Sequence, residues 1–186
     1  MKRFVRGHLR YIDEIQCAAS RVINAVRDRA REKNQSDQGG LFDTMHIRQG
    51  HFQFKFKYIH VDADIVYNYI KDVLIENETV YISTYKLDKA LSAPLAEYYD
   101  VYFLNDYIHL MKDLDSKYYV ILEHIIAIKG RICFGTYQST FTGYLTSMRG
   151  YYIDKHKLKG HKYGTQVSYS SAPGISLFLF LVGSHV

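Results

Sequence analysis

The sequence contains no tryptophan and only two cysteines and two prolines among 186 residues. Cys17 and Cys133 are too few for a disulfide scaffold or a cysteine-based zinc site. Cys133 sits in a run with strand character, where it serves as a small hydrophobe. No secretory leader is read at the start: Met1-Lys-Arg-Phe-Val-Arg-Gly-His is basic, and no apolar core follows it. Near the other end, Ile175-Ser-Leu-Phe-Leu-Phe-Leu-Val182 is apolar but far shorter than the ~20 residues that cross a bilayer. No membrane span is expected from it, and it reads either as a buried strand or as a tail outside the fold. A hydrophobic content of 47% argues against disorder.

Tyrosine and positive charge are what the chain has in excess. Eighteen tyrosines bring the aromatic share to 15%, so many rings can lie half-buried with a hydroxyl at the surface. A net charge of +5 favours anionic partners such as phosphates, nucleotides, nucleic acid or acidic lipids.

Taken in order, residues 11–31 carry Ile12, Ile15, Ala19, Val22, Ile23 and Val26 at helical spacing, opposite Arg21, Arg27, Asp28 and Arg31. That pattern predicts an amphipathic helix, closed by a polar loop ending in Gly39-Gly40. Short strands are expected at 41–47, 79–83, 101–104 and 132–134. Helices are expected at 62–74 with Asp62 as cap, at 87–99 with a kink or restart at Pro94, at 116–129, and through Phe141, Tyr144, Leu145 and Met148. No two-residue hairpin signal is present. Strands separated by helices of this length imply an α/β fold, a parallel sheet with helices on its faces, and no repeat or linker marks a second domain.

Residues 51–60 alternate Phe52, Phe54, Phe56 and Tyr58 with Gln53, Lys55 and Lys57. As a strand this gives one aromatic and one cationic face, suited to stacking bases and binding phosphates. The commoner use of such a segment is an edge strand packed on the core by its apolar side.

Ligands of open parallel sheets bind beyond the carboxyl ends of the strands, which directs attention to the loops after Ile47, Ser83, Leu104 and Phe134. Two of them suit a single anion. His46-Ile-Arg48 places a guanidinium at a strand end, where its planar fork can take two phosphate oxygens. The run Ile132-Cys-Phe134 meets Gly135, a polar turn through Thr136, Gln138, Ser139 and Thr140, and then a helix. The helix start offers free N–H groups and the positive end of its dipole, and Ser139 or Thr140 can cap it or share those donors with a phosphate. If both loops lie at one edge of the sheet, they can hold a diphosphate. The plainer alternatives are an ordinary N-cap and a surface arginine.

Leu41-Phe-Asp-Thr-Met-His-Ile-Arg-Gln-Gly-His-Phe-Gln-Phe-Lys resembles the His-Ile-Arg-Arg-Gly-Asp-Phe-Gln-Phe segment of GDP-fucose protein O-fucosyltransferase-like proteins. Gly135-Thr-Tyr-Gln-Ser-Thr-Phe-Thr-Gly-Tyr resembles the Gly-Thr-x-x-Ser-Thr-Phe-Thr-Gly-Tyr block of the same family. Val80-Tyr-Ile-Ser-Thr84 and Val101-Tyr-Phe-Leu-Asn-Asp106 are similar to further segments, in the same order. The likeness covers residues 11–152. It implies that residues 1–152 form a Rossmann-like nucleotide-sugar-binding domain, the carboxyl-terminal, donor-binding half of a GT-B glycosyltransferase, and that residues 153–186 are a divergent tail.

The resemblance further implies that GDP-fucose is gripped without a metal or other cofactor, and that fucose is transferred with inversion to a protein or glycan hydroxyl. No nucleic-acid partner follows from it. Arg48 would be the catalytic residue, contacting the diphosphate and stabilising charge on the departing GDP. His46 would help hold the nucleoside, and Ser139, Thr140 and Phe141 would bind the phosphates. Glu123 stands where the family tends to have an acidic residue that pairs with guanine; the plain alternative is a solvated carboxylate in mid-helix. An amino-terminal half-domain that shapes the acceptor cleft has no room before Tyr11, so this chain alone is expected to be incomplete for activity. The family implies the ER or Golgi lumen, with which the sequons Asn34-Gln-Ser36 and Asn77-Glu-Thr79 are compatible. The chain departs from the family pattern at Gln49 and His51, and at Tyr85-Lys86, where acidic residues are usual. Two other functions stay open: a degenerate or truncated domain that does not catalyse, and a basic nucleic-acid-binding module using residues 51–60.

Overall fold

The computed structural model describes residues 11–34, 39–48, 63–84, 89–136, 139–157, 166–172 and 175–181. The alternating segment 51–60, the Asp62 cap and the departures at Gln49, His51, Tyr85 and Lys86 lie outside the described residues.

Helix α1 (Asp13–Lys33) follows from the apolar stripe, with Asp13 and Glu14 in its first turn and Arg31 and Lys33 in its last, as the helix dipole favours. Its buried side includes Ile15, Ala19, Val22 and Val26. The chain continues through β1 (Asp43–His46), α2 (Ala63–Ile70), β2 (Thr79–Ser83), α3 (Lys89–Ala96), β3 (Asp100–Phe103), α4 (Tyr119–Ala127), β4 (Ile132–Thr136) and α5 (Thr140–His156). It closes with β5 (Gln166–Ala172) and β6 (Ile175–Leu181). The sheet order is β3-β2-β1-β4-β6-β5. The first four strands run parallel to one another.

Every residue of β1, β2 and β4 is buried, the condition of a parallel strand covered on both sides. Phe42 and Tyr81 pack with α1 and α4 on one face. Met45, Ile47, Val80, Ile82 and Phe134 pack with Val66 and Ile70 of α2 and Leu95 of α3 on the other. This is the α/β class with a Rossmann-like parallel sheet and helices on both faces.

Of the two readings of the apolar run near the end, the strand holds: β6 pairs antiparallel with β4, and β5 pairs with β6. Several other local expectations are corrected. Ala172 faces Ile175 with only Pro173 and Gly174 between them in sequence, so two strands join closely where no hairpin was expected. β4 extends through Gly135 to Thr136, because the pairing of Gly135 with His46 continues the ladder where a turn was expected. The fourth helix opens as a 3-10 turn at Ser116–Tyr118, with the Asp115 carboxylate accepting from the Lys117 N–H at 3.0 Å. The stretch Leu104–Leu110, given no helix by its pattern, is a 3-10 segment that buries Leu104 and Tyr107.

The amino ends of the central strands are tied by charge. Fully buried Asp43 accepts from Arg131 Nε at 3.1 Å, from Arg131 Nη2 at 2.7 Å and from the Ile132 N–H at 3.0 Å, and Arg131 also pairs with Glu78. This anchor is far along the strands from their carboxyl ends and leaves those ends to other chemistry. Among the described residues no helix is long and apolar enough to cross a membrane.

Candidate functional site

Between β1 and β4 the strand order reverses: β1 connects outward through α2 to β2, while the chain returns through α4 to β4 on β1's other side. Loops leaving the carboxyl ends of such a pair diverge and open a crevice. His46 lies opposite Gly135 across this pair, and opposite Ser83 across the β1–β2 pair.

Two hydroxyls bind the β1 end to the β4 side. Thr136 Oγ1 donates to the His46 carbonyl at 3.2 Å and accepts from the Arg48 N–H at 2.9 Å, spanning Ile47. Thr142, in the first turn of α5, places Oγ1 2.9 Å from His46 Nδ1. Thr142 can come this close because residue 135 is glycine: a Cβ there would lie 2.3 Å from Thr142 Cγ2 and 2.7 Å from its Oγ1. The Gly-Thr start of the block and its last threonine are thus joined by packing.

The His46 ring stacks on Phe141 at 4.1 Å between centroids, and Phe141 stacks on His124 at 3.7 Å. Two rings so close to one centroid must occupy its two faces, so Phe141 is sandwiched between imidazoles. His124 meets the edge of Tyr144 at 4.9 Å, and the Tyr144 and Tyr11 hydroxyls are 2.6 Å apart. Burial, then neighbouring His124 and Arg48, pushes the His46 pKa down to about 3. Burial takes His124 down to about 4, partly opposed at the Val120 backbone. Both rings are neutral at pH 7.

The remaining expected residues gather at the same edge. Arg48 is exposed just past the end of β1. Ser139 is buried and stands at the N-cap position of α5: its carbonyl accepts from the Gly143 N–H at 3.0 Å, and its own N–H reaches the Thr136 carbonyl at 3.4 Å. Thr140 is the exposed first residue of that helix. The first N–H groups of α5 have no acceptor within the helix.

Glu123 is 9% exposed, so the plain expectation of a solvated mid-helix carboxylate is overturned. Burial raises its pKa to about 7, with Ser83 opposing the shift. Ser83 Oγ itself meets no hydrogen-bonding geometry, and neither do the hydroxyls of Tyr81 and Tyr107, all buried. A carboxyl that titrates near neutrality and three hydroxyls, on the face of β2 that packs toward α1 and α4, form a polar patch able to exchange hydrogen bonds with a polar ring edge or with water.

Sequence reasoning singled out His46, Arg48, Glu123, Ser139, Thr140 and Phe141, and the structure brings them to the carboxyl edge of β1, β2 and β4. It did not single out Thr136, Thr142, His124 or Ser83. The available signal for Thr142 was its place three residues after Ser139 in a helix start; for His124 it was adjacency to Glu123. Among the described residues no group of three or more His, Cys, Asp or Glu side chains is close enough to hold a metal ion. No model of a known protein family matches this chain, and no curated protein matches it either.

Proposed function

We propose that this chain is a nucleotide-sugar-binding domain of the GDP-fucose O-fucosyltransferase type, taking the donor's diphosphate between the His46-Ile47-Arg48 strand end and the amino end of α5. The observation that supports it most is the tie between the two loops: Arg48 N–H to Thr136 Oγ1 at 2.9 Å and His46 Nδ1 to Thr142 Oγ1 at 2.9 Å. Two segments that are each unremarkable alone become one cradle at the position where such sheets bind ligands. The cradle carries an arginine, free helix N–H groups and a neutral imidazole, a donor set suited to phosphate oxygens.

In transfer, the bond between fucose C1 and the β-phosphate oxygen would break with its electron pair going to GDP, while an acceptor hydroxyl oxygen bonds to C1 and passes its proton to water or to the departing diphosphate. The Arg48 guanidinium stabilises the charge that collects on the diphosphate. Glu123, which burial raises to about 7 beside Ser83, would hydrogen-bond the base.

Isothermal titration with GDP and GDP-fucose tests the reading. Micromolar to submillimolar binding is expected, weakened at least tenfold in Arg48→Ala and partly restored in Arg48→Lys. Absence of heat at millimolar GDP would overturn it. Binding without fucose transfer to any acceptor hydroxyl, even with an amino-terminal half-domain added, would favour the non-catalytic form.

A further inference from the structure

The Thr142 hydroxyl and His46 Nδ1 are 2.9 Å apart, and that contact can be made in two ways. Either the imidazole donates from Nδ1 and the hydroxyl accepts, or the hydroxyl donates and Nδ1 accepts. In the first case the Thr142 proton has nowhere to go: the residue is 2% exposed and His46 is its one side-chain partner among the described residues. A buried donor left unmade is costly. In the second case the hydroxyl is satisfied by that bond and the ring proton resides on Nε2, which among the described residues is not one of the buried side-chain atoms left without a partner.

We propose that Thr142 is a positioning residue that holds His46 as the Nε2–H tautomer, so that the ring offers a hydrogen-bond donor to an anionic group at the carboxyl edge of β1. The consequence for the ligand rests on the diphosphate reading above; the tautomer itself does not. Three features of the surroundings serve the same end. Phe141 stacks on the ring at 4.1 Å and 15°, which limits its tilt. Gly135 leaves the space that lets Thr142 approach. Burial keeps the imidazole uncharged, so one nitrogen accepts and the other donates. A neutral donor stacked on Phe141 can bind an oxyanion without a second cation beside Arg48.

The test is nitrogen-15 NMR of the imidazole at pH 7, with His46 assigned by comparison with His46→Gln, in wild type, Thr142→Val and Thr142→Ser, alongside GDP titration of each. Valine keeps the shape and removes the donor; serine keeps the donor. Wild type and Thr142→Ser should show the Nε2–H pattern, and Thr142→Val should shift toward Nδ1–H and bind GDP roughly fivefold more weakly. A wild-type ring protonated on Nδ1 would overturn the proposal even if the valine variant failed to fold. So would a folded Thr142→Val that kept both the Nε2–H pattern and full affinity. If wild type shows the Nε2–H pattern and Thr142→Val loses it, while GDP binds to neither, the tautomer assignment stands and the diphosphate reading falls.

Discussion

Arg149 reaches from α5 to the carbonyl oxygen of Gly130, 2.8 Å from its Nη1, in a site that leaves it 2% exposed. The same Nη1 lies 3.1 Å from the Ile128 carbonyl and 3.4 Å from that of Ala127, and Nη2 donates to the Arg131 carbonyl at 3.0 Å. One guanidinium therefore serves four carbonyls at and beyond the end of α4, sharing that of Ala127 with the Thr44 hydroxyl at 2.9 Å, and burial pulls its pKa down. A Cβ at residue 130 would lie 2.5 Å from the Thr44 side chain, so the loop has little freedom to find other partners. Arg149→Met should cost about 2–4 kcal/mol in urea denaturation, because the carbonyls stay buried and lose their donors. Arg149→Lys should recover only part, having a single donor point instead of a fork.

Two glycines of one motif should respond in opposite directions to alanine. At Gly135 the added Cβ meets Thr142 at 2.3 Å. Gly135→Ala should destabilise by about 1–3 kcal/mol and, on the nucleotide-binding reading proposed above, weaken GDP binding, since Thr142 must move off His46. At Gly143 nothing lies within 4 Å of the added atom. Gly143→Ala, in the interior of α5, should stabilise by about 0.5–1 kcal/mol and leave binding unchanged. Thermal unfolding and titration of the two variants side by side measure both effects.

Acid stability should reveal opposed titrations. His46 and His124 are depressed by burial to about 3 and about 4 from an ordinary 6.5. The unfolded chain takes up those protons first, so their contribution to stability is whole above pH 6.5 and is lost as pH falls through about 4 for His124 and about 3 for His46. Glu123 is raised by burial to about 7 from 4.5. There the folded state holds the proton more tightly, so its contribution is whole below pH 4.5 and is lost as pH rises to 7. Between pH 4.5 and 6.5 the three partly cancel. Glu123→Gln removes the opposing group, and its unfolding free energy should fall more steeply than wild type's as pH drops through that window. Above pH 7 the variant should be the more stable by up to roughly 3 kcal/mol. Urea midpoints across pH 4–8 would show parallel curves if Glu123 were in fact solvated.

Much of the scaffold was legible because it is written in local periodicity. Ile15, Ala19, Val22, Ile23 and Val26 announced the buried face of α1, and the apolar runs of β2 and β4 announced strands covered on both sides. The pairing of β6 with β4 was not, since an apolar run of that length is equally a buried strand or a tail until a partner is known. The site was legible as far as types at strand ends go: Arg48, His46 and the Ser139-Thr140-Phe141 turn. Glu123 was singled out only through the resemblance; its residue type alone favours a solvated carboxylate, and only tertiary packing puts it against Ser83. Thr142 and Arg149 were invisible for a related reason: their partners, His46 and the end of α4, are set by how α5 lies on the sheet, which no spacing within α5 encodes.

The bond between His46 and Thr142 joins residues 96 positions apart in sequence. Closing so long a loop is entropically slow, and parallel pairing cannot begin with a turn. β1 can pair with β2 first, and the contact with Thr142 must wait for β4 and α5, after α1, α2 and β2 have had time to assemble. A chain folding from its amino end would hold the Arg48 backbone N–H without the Thr136 hydroxyl until β4 is in place.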